Sequence, residues 1–260
     1  MRILVCVKRV PAPGAKINIT ADGQDVDTAH LGFAMSPHEE CAVEEAVQLI
    51  EQHGGEATVL TLGPPEAQEQ LRYSASLGIQ HAVLLSTDGT AWDPQRTARA
   101  IAGAVKTLEA RPADEGGGLF DLILFGNESA DAGGFQVGIR VAHAIGRPIV
   151  NAIKGIEVAD EQVTAKREID GGFEVYSLPV PAVLGVKEGL NLPRYPTMKG
   201  RLASKKVPVT VIDAEAAIGG QAKVRLLPPP ETESNTITLG EGPSAAAAVV
   251  DLLEELGVMQ

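Results

Sequence analysis

Through its first ~150 residues the chain alternates short apolar, strand-like runs with stretches of helical periodicity. That alternation restricts it to a parallel sheet joined by crossover helices. The runs are Ile3 to Val7, Ala57 to Leu62, His81 to Leu85 and Phe120 to Phe125. Each is continuous rather than alternating, as strands covered on both faces require. Between them fall a helix from Pro37 to about His53, one through Leu71 and Leu77, and one opened by Trp92-Asp93-Pro94 and reaching about Glu109. A fourth carries Val137, Val141 and Ile145 and stops at Gly146-Arg147-Pro148. Ser36-Pro37-His38-Glu39 marks the first helix start: Ser at the N-cap, Pro in the first turn, Glu three residues on. The expected fold class is α/β, a doubly wound, mostly parallel, Rossmann-like sheet.

The texture changes after Pro148. Ile149-Val150 can form a short fifth strand. Ile153 to Val158, Val163 to Ile169, Phe173 to Ser177 and Ala182 to Val186 read as short strands joined by tight turns at Asp160-Glu161 and Asp170-Gly171-Gly172. They look antiparallel or mixed and extend the same sheet. Arg201 to Lys206 and Pro208 to Ile212 complete one domain, residues 1–227. Pro228-Pro229-Pro230 then stops regular structure, and residues 228–260 form an extended arm ending in a helix from Ser244 to about Leu256. That helix is too short and alanine-rich to stand alone, so it needs a surface to dock on.

The net charge of −12 is unevenly placed. Glu231, Glu233, Glu241, Asp251, Glu254 and Glu255 face no Lys or Arg in the tail, whereas Lys187, Arg194, Lys199, Arg201, Lys205 and Lys206 face only Glu188. An acidic protein with 3% aromatic residues is a poor nucleic-acid binder. No apolar run is long enough to insert in a membrane. Ile3 to Val7 is too short for a signal peptide, and Cys6 and Cys41 have neither metal nor disulfide spacing, which points to a reducing, cytoplasmic setting.

The chemistry concentrates after the fourth strand, in GNESADAGGFQVG, Gly126 to Gly138. A strand, a glycine, a small-residue loop and a helix start form the place where open α/β sheets bind ligands. Gly126 lets the backbone leave the strand, Gly133-Gly134 permits close approach of a phosphate, and a helix beginning near Gly133 offers free N–H groups. Ser129 can donate a hydroxyl, Gln136 can bond a phosphate or ribose oxygen, and Asp131 fits a ribose hydroxyl or an N-cap. The alternative is an ordinary turn before a well-capped helix. No G-K-[ST] follows, no G-x-G-x-x-G is present, and no S-G-G-x-D-S loop appears. The implied ligand is an adenine nucleotide that is held and not hydrolysed. The five histidines lack ligand spacing, no G-x-S-x-G or H-E-x-x-H occurs, and Glu44-Glu45 reads as a solvated helix face, so a hydrolase is disfavoured.

VCVKRV from Val5, SPHEECAVEEAV from Ser36, the Gly126–Gly138 loop and AKREIDGGFEVYSLPVPAVLGVKEGLNLPRYPTMKGRLASKK from Ala165 together resemble the electron transfer flavoprotein (ETF) β subunit. Its most specific part is K-R-E-x-D-G-G-x-E followed by P-A-V and L-N-x-P-R-Y. Tyr176 and Gly185 depart from the family pattern conservatively. The resemblance implies an electron carrier, not an enzyme in its own right, paired with an ETF α subunit that carries most of the FAD contacts. Electrons would pass from dehydrogenases such as the acyl-CoA dehydrogenases of fatty acid β-oxidation to an ETF:quinone oxidoreductase-type acceptor. It also implies a structural AMP bound by Cys6, Ser36, Pro37, His38, Glu39, Leu62 and the run Gly126, Asn127, Glu128, Ser129, Ala130, Asp131, Ala132, Gly133, Gly134, Phe135, Gln136, Val137. Residues Leu190 to Gly200 correspond to a recognition loop, with Met198 as apolar anchor, Arg194, Lys199 and Arg201 as steering charges, and Tyr195 beside them.

The loop departs from the AMP-type pattern D-D-x-N-Q-T-G. Its Q-V-G ending is closer to the electron-bifurcating branch, which holds a second FAD and carries D-G-D-T-A-Q-V-G, but Gly134-Phe135 departs from that too. AMP is the favoured expectation and a second FAD the alternative. A stand-alone adenine-nucleotide-binding regulatory module of the universal-stress type is the competing reading of another class.

Overall fold

The computed structural model describes residues 1–90, 92–214, 220–230 and 236–259. Glu231 and Glu233 of the acidic tail lie outside them. The chain divides into two compact units, Met1–Arg225 and Leu226–Gln260.

The first unit begins with β1 (Arg2–Val7), then β2 (Val10–Pro11) and β3 (Phe33–Ala34), which pair with each other in a small antiparallel ladder. Between them Ile19 bridges Val26 around the turn at Asp22-Gly23. There follow α1 (Pro37–His53), β4 (Glu56–Gly63), α2 (Gln68–Leu77), β5 (His81–Ser86), α3 (Pro94–Glu109), β6 (Leu122–Gly126) and α4 (Val137–Ile145). The chain continues through β7 (Ile149–Ala159), β8 (Gln162–Ile169), β9 (Gly172–Pro179), β10 (Ala182–Val186), α5 (Met198–Ser204) and β11 (Val209–Asp213).

Nine strands make one sheet in the order β11-β5-β4-β1-β6-β10-β7-β8-β9. From β11 to β7 every neighbouring pair is parallel; β8 and β9 are antiparallel. The period-two geometry of a strand sends successive side chains to opposite faces. Ile3, Val5 and Val7 therefore pack under α1 and α2, and Leu4 and Cys6 pack under α3 and α4. The sheet is covered on both faces and doubly wound, as the continuous apolar runs predict.

Two sequence expectations change in detail. The strand at Ile149-Val150 and the strand from Ile153 are one element, bent at Ala152, which takes a positive φ of 57°. Asn127 holds this irregularity, its Oδ1 accepting the Ala152 N–H at 3.0 Å. Second, Ala182 to Val186 joins the same sheet, as expected of an antiparallel or mixed set, but not at its edge. It returns as a parallel strand between β6 and β7. Gly185 is required there: a Cβ would stand 2.3 Å from the Asn151 Oδ1.

In the second unit, a single 3-10 turn (Gly242–Ala245) leads into α6 (Ala246–Glu255). None of α6's side chains is buried, and Val249, Val250, Leu252 and Leu256 are exposed.

Candidate functional site

The chain runs from β1 out to β4 and β5, then returns to the other side of β1 as β6. Strand order reverses between β1 and β6, and open α/β sheets form ligand crevices at the carboxyl ends of such a pair. A cavity of about 340 Å³ opens there. Its wall contains Cys6, Glu39, Leu62, Gly126, Asn127, Glu128, Ser129, Asp131, Ala132, Gly134, Phe135, Gln136 and Val137, thirteen of the residues expected from sequence. Ser36, Pro37, His38, Ala130 and Gly133 line a shallower depression instead, which shares Glu128, Ser129, Asp131 and Ala132 with the main cavity. Lys8, Arg9, Thr87, Thr90, Trp92, Thr97 and Asn151 also line the main cavity and were not anticipated. Lys8 and Arg9 follow directly on the first strand, and that position was the available signal.

One side of the cleft is the start of α1. Both halves of the capping box form: Ser36 Oγ accepts the Glu39 N–H at 3.2 Å, and Glu39 Oε2 accepts the Ser36 N–H at 2.9 Å. Ser36 Oγ also donates to the Glu128 carbonyl at 3.3 Å, which ties the loop after β6 to α1. The imidazole of His38 makes a second tie, its Nδ1 accepting the Glu188 N–H at 2.8 Å while Nε2 lies 3.3 Å from Glu128 Oε1. Gly126 owes its identity to this packing, because a Cβ would lie 2.7 Å from the Glu39 Cγ.

Burial pushes the Glu39 carboxyl up to about 8, against smaller opposing effects of the Ser36 and Lys8 hydrogen bonds and the Lys8 charge. A neutral acid at this wall spares an anionic ligand the repulsion of a carboxylate. The raised value also sets a pH dependence. Between the ordinary 4.5 and about 8 the folded chain holds a proton that the unfolded chain has lost, so this contribution is complete below 4.5 and gone above 8. Glu39→Gln keeps an acceptor for Ser36 and removes the titration. Calorimetry of the nucleotide-free chain should therefore show the wild type losing about 4 kcal/mol more stability than the variant between about pH 5 and about pH 9. Parallel pH profiles would contradict the assignment.

The other side is the loop from Gly126 into α4. The helix begins at Val137, not near Gly133 as the sequence implied. Gly133 and Phe135 both take left-handed conformations, each with φ 53°, and this delays the helix. A phenylalanine in that region is strained, and such strain collects at ligand sites. Gly134 sits where a Cβ would touch the Pro94 Cγ at 3.7 Å, at the meeting of the loop with α3.

The first residue before α4 is Gln136, and its side chain caps nothing. Its Oε1 accepts two bonds from Arg140, at 3.1 and 2.9 Å. No acidic residue lies in the first turn. Val137, Gly138 and Ile139 all line the cavity, so the free N–H groups and positive end of α4 open into it. Asp131 is not the cap. Its Oδ2 accepts from Lys8 Nζ at 2.6 Å and its Oδ1 accepts the Ala132 N–H at 2.7 Å. Burial raises the Asp131 carboxyl, but the Lys8 charge and bond outweigh that and leave it below the usual range. The pair is neutral in sum, so the cleft presents helix N–H groups without a net opposing charge.

A second cluster lies on the outer face of α1. Glu44 and Glu45 are buried, at 2% and 8% exposure, which corrects the reading of them as a solvated face. Glu44 receives the Arg194 backbone N–H at 3.0 Å and a forked guanidinium contact at 2.9–3.1 Å. The far edge of the same guanidinium reaches Glu51 at 2.7 and 2.9 Å. Asn191 Nδ2 donates to Glu45 and to the Cys41 carbonyl. Arg194 thus binds this segment to α1, its charge paired with two carboxylates. The segment it anchors leaves Leu192, Tyr195 and Met198 at 90%, 91% and 75% exposure, and Lys199 is exposed beside them.

Comparison with known proteins identifies the family. Residues 25–217 match the family model described as the electron transfer flavoprotein domain. The "Electron transfer flavoprotein subunit beta" of Syntrophomonas wolfei is 37% identical over 87% of this chain and 84% of its own length. The Bacillus subtilis protein of the same name is 30% identical over 97% of both chains, and that of Megasphaera elsdenii 30% over 98% of both. The domain match spans the sheet apart from β1, together with the cleft loop and the Arg194 segment. The chain therefore belongs to the electron transfer flavoprotein family, as a β subunit.

Proposed function

We propose that this β subunit holds one AMP as a structural nucleotide in the β1/β6 cleft and presents residues 190–200 to the dehydrogenases from which its heterodimer collects electrons. As a family member the chain is an electron-transfer subunit that works in a heterodimer with an α subunit, rather than an enzyme in the usual sense. FAD, held mainly by the α subunit, supplies the electron-carrying chemistry. Electrons would enter from primary dehydrogenases such as acyl-CoA dehydrogenases and leave to an ETF:quinone oxidoreductase-type acceptor, in the cytoplasm. Among the described residues no helix is long and apolar enough to cross a membrane.

The observation that carries the nucleotide part is the uncapped start of α4 opening into a cleft at the reversal of strand order. AMP is the preferred ligand, and a cavity of about 340 Å³ is of a size for one nucleotide. Residues 228–260 dock on the α subunit in this reading, which gives the exposed apolar side chains of α6 a place to be buried.

The docking role of residues 190–200 rests on exposed apolar side chains carried by a segment fastened to α1. Met198→Ala removes the flexible anchor and touches no cofactor contact. Rapid-mixing reduction of the heterodimer by a cognate dehydrogenase should slow about tenfold, with FAD content unchanged. An unaltered rate, or loss of FAD, would count against the assignment.

A further inference from the structure

We propose that Trp92 is the platform on which the purine ring of the bound nucleotide stacks, an inference that rests on the AMP reading above. Strands β4 and β1 lie between β5 and β6 in the sheet. The ends of β5 and β6 are therefore about 14 Å apart, and the segments that follow them converge over the cleft, where Gly134 comes up to Pro94. The β6 side supplies the N–H groups of α4, which suit a phosphate. The β5 side supplies Trp92, Pro94, Thr97 and Ile101, a wall without charge that suits a flat, weakly polar ring. Cys6 and Leu62, at the ends of β1 and β4, form the floor between.

Trp92 is the chain's one tryptophan. The Arg96 guanidinium covers one face of its indole, 4.5 Å from the ring centroid. Trp92 lines the cleft and Arg96 does not, which leaves the face away from the guanidinium for a ligand. Asp93, the N-cap of α3, fixes the approach by accepting the Arg96 N–H at 2.8 Å and the Gln221 N–H at 2.7 Å. The indole is thus backed by the guanidinium and follows directly on a fixed N-cap, as suits a preorganised stacking surface. Phe135 is the rival aromatic, but it belongs to the loop on the phosphate side.

The test compares AMP with ribose 5-phosphate, which keeps the phosphate and lacks the base, by calorimetry on the nucleotide-free full chain. Trp92→Leu should weaken AMP about tenfold and leave ribose 5-phosphate unchanged. Trp92→Phe should restore AMP binding to within about twofold, and Phe135→Leu should discriminate between the ligands no more than the wild type does. Wild-type AMP affinity in Trp92→Leu, equal loss of both ligands, or a base-selective loss in Phe135→Leu would overturn the proposal while leaving the AMP reading standing. Failure of the wild type to bind AMP at all would overturn the AMP reading itself.

Discussion

Arg194→Ala is expected to cost the folded chain about 3 kcal/mol and to slow reduction of the heterodimer by a dehydrogenase as much as Met198→Ala does. Glu44 has a side-chain exposure of only 3%, and the substitution leaves its carboxylate buried against a missing partner. The cost falls at the low end for a broken buried pair because the arginine side chain is 35% exposed. Arg194→Lys should recover less than half of the loss, since a single ammonium cannot fork to Glu44 and Glu51 together. Burial raises the Glu44 carboxyl, but the Arg194 bonds outweigh it and leave the net value below the ordinary carboxylate range; Glu51 is lowered by the same arginine. The clamp is therefore present at neutral pH and is lost only as the pH falls through those lowered values. Urea unfolding and rapid-mixing reduction check both arms. A stable variant with a normal rate would mean the segment's position does not depend on α1.

Gln136→Asp should weaken AMP about thirtyfold without lowering thermal stability. An acidic residue at the start of α4 satisfies the helix's own positive end, which favours the helix. The same carboxylate sits where the phosphate must come, and repulsion of about 2 kcal/mol at short range in a partly shielded site gives that factor. Ribose 5-phosphate should suffer equally, in contrast to the base-selective loss expected at Trp92. Calorimetric titration and thermal melting separate the two effects. Undiminished AMP affinity would remove the phosphate from α4.

These two sites also show what could be read from the sequence and what could not. The first helix was legible to the residue, Pro37–His53, because its signals are local: Ser36, Pro37 and Glu39 at one end and Gly54 at the other. The strands from Ile3 to Phe125 were legible because unbroken apolar runs require burial on both faces. The place of β10 was not. Nothing within Ala182 to Val186 says that it inserts between two strands formed earlier in the chain. Glu44 and Glu45 were misread for the same reason: their partners, Arg194 and Asn191, lie 150 and 146 residues away. A charge on a helix looks solvated until its distant partner is known.

The site divides along the same line. Gly126 to Val137 could be found because a glycine-rich loop after a strand is a local pattern. The start of α4 was placed four residues early because the left-handed turn at Phe135 has no signature in a residue that normally avoids it. Lys8 and Trp92 carried signals that pointed elsewhere: one looked like the end of a strand, the other like the opening of a helix. Only the strand order brings them to one cleft. The expectation for Gly126 was right about the position and incomplete about the cause, since Glu39 and His38 pack where a side chain would stand.

The central claim is that the cleft between β1 and β6 holds AMP. Acid extraction of the purified heterodimer, with chromatographic and mass-spectrometric quantification of every released nucleotide, tests it most directly. The account predicts one FAD and one AMP per heterodimer. Two FADs and no AMP would contradict it and would make this cleft a second flavin site.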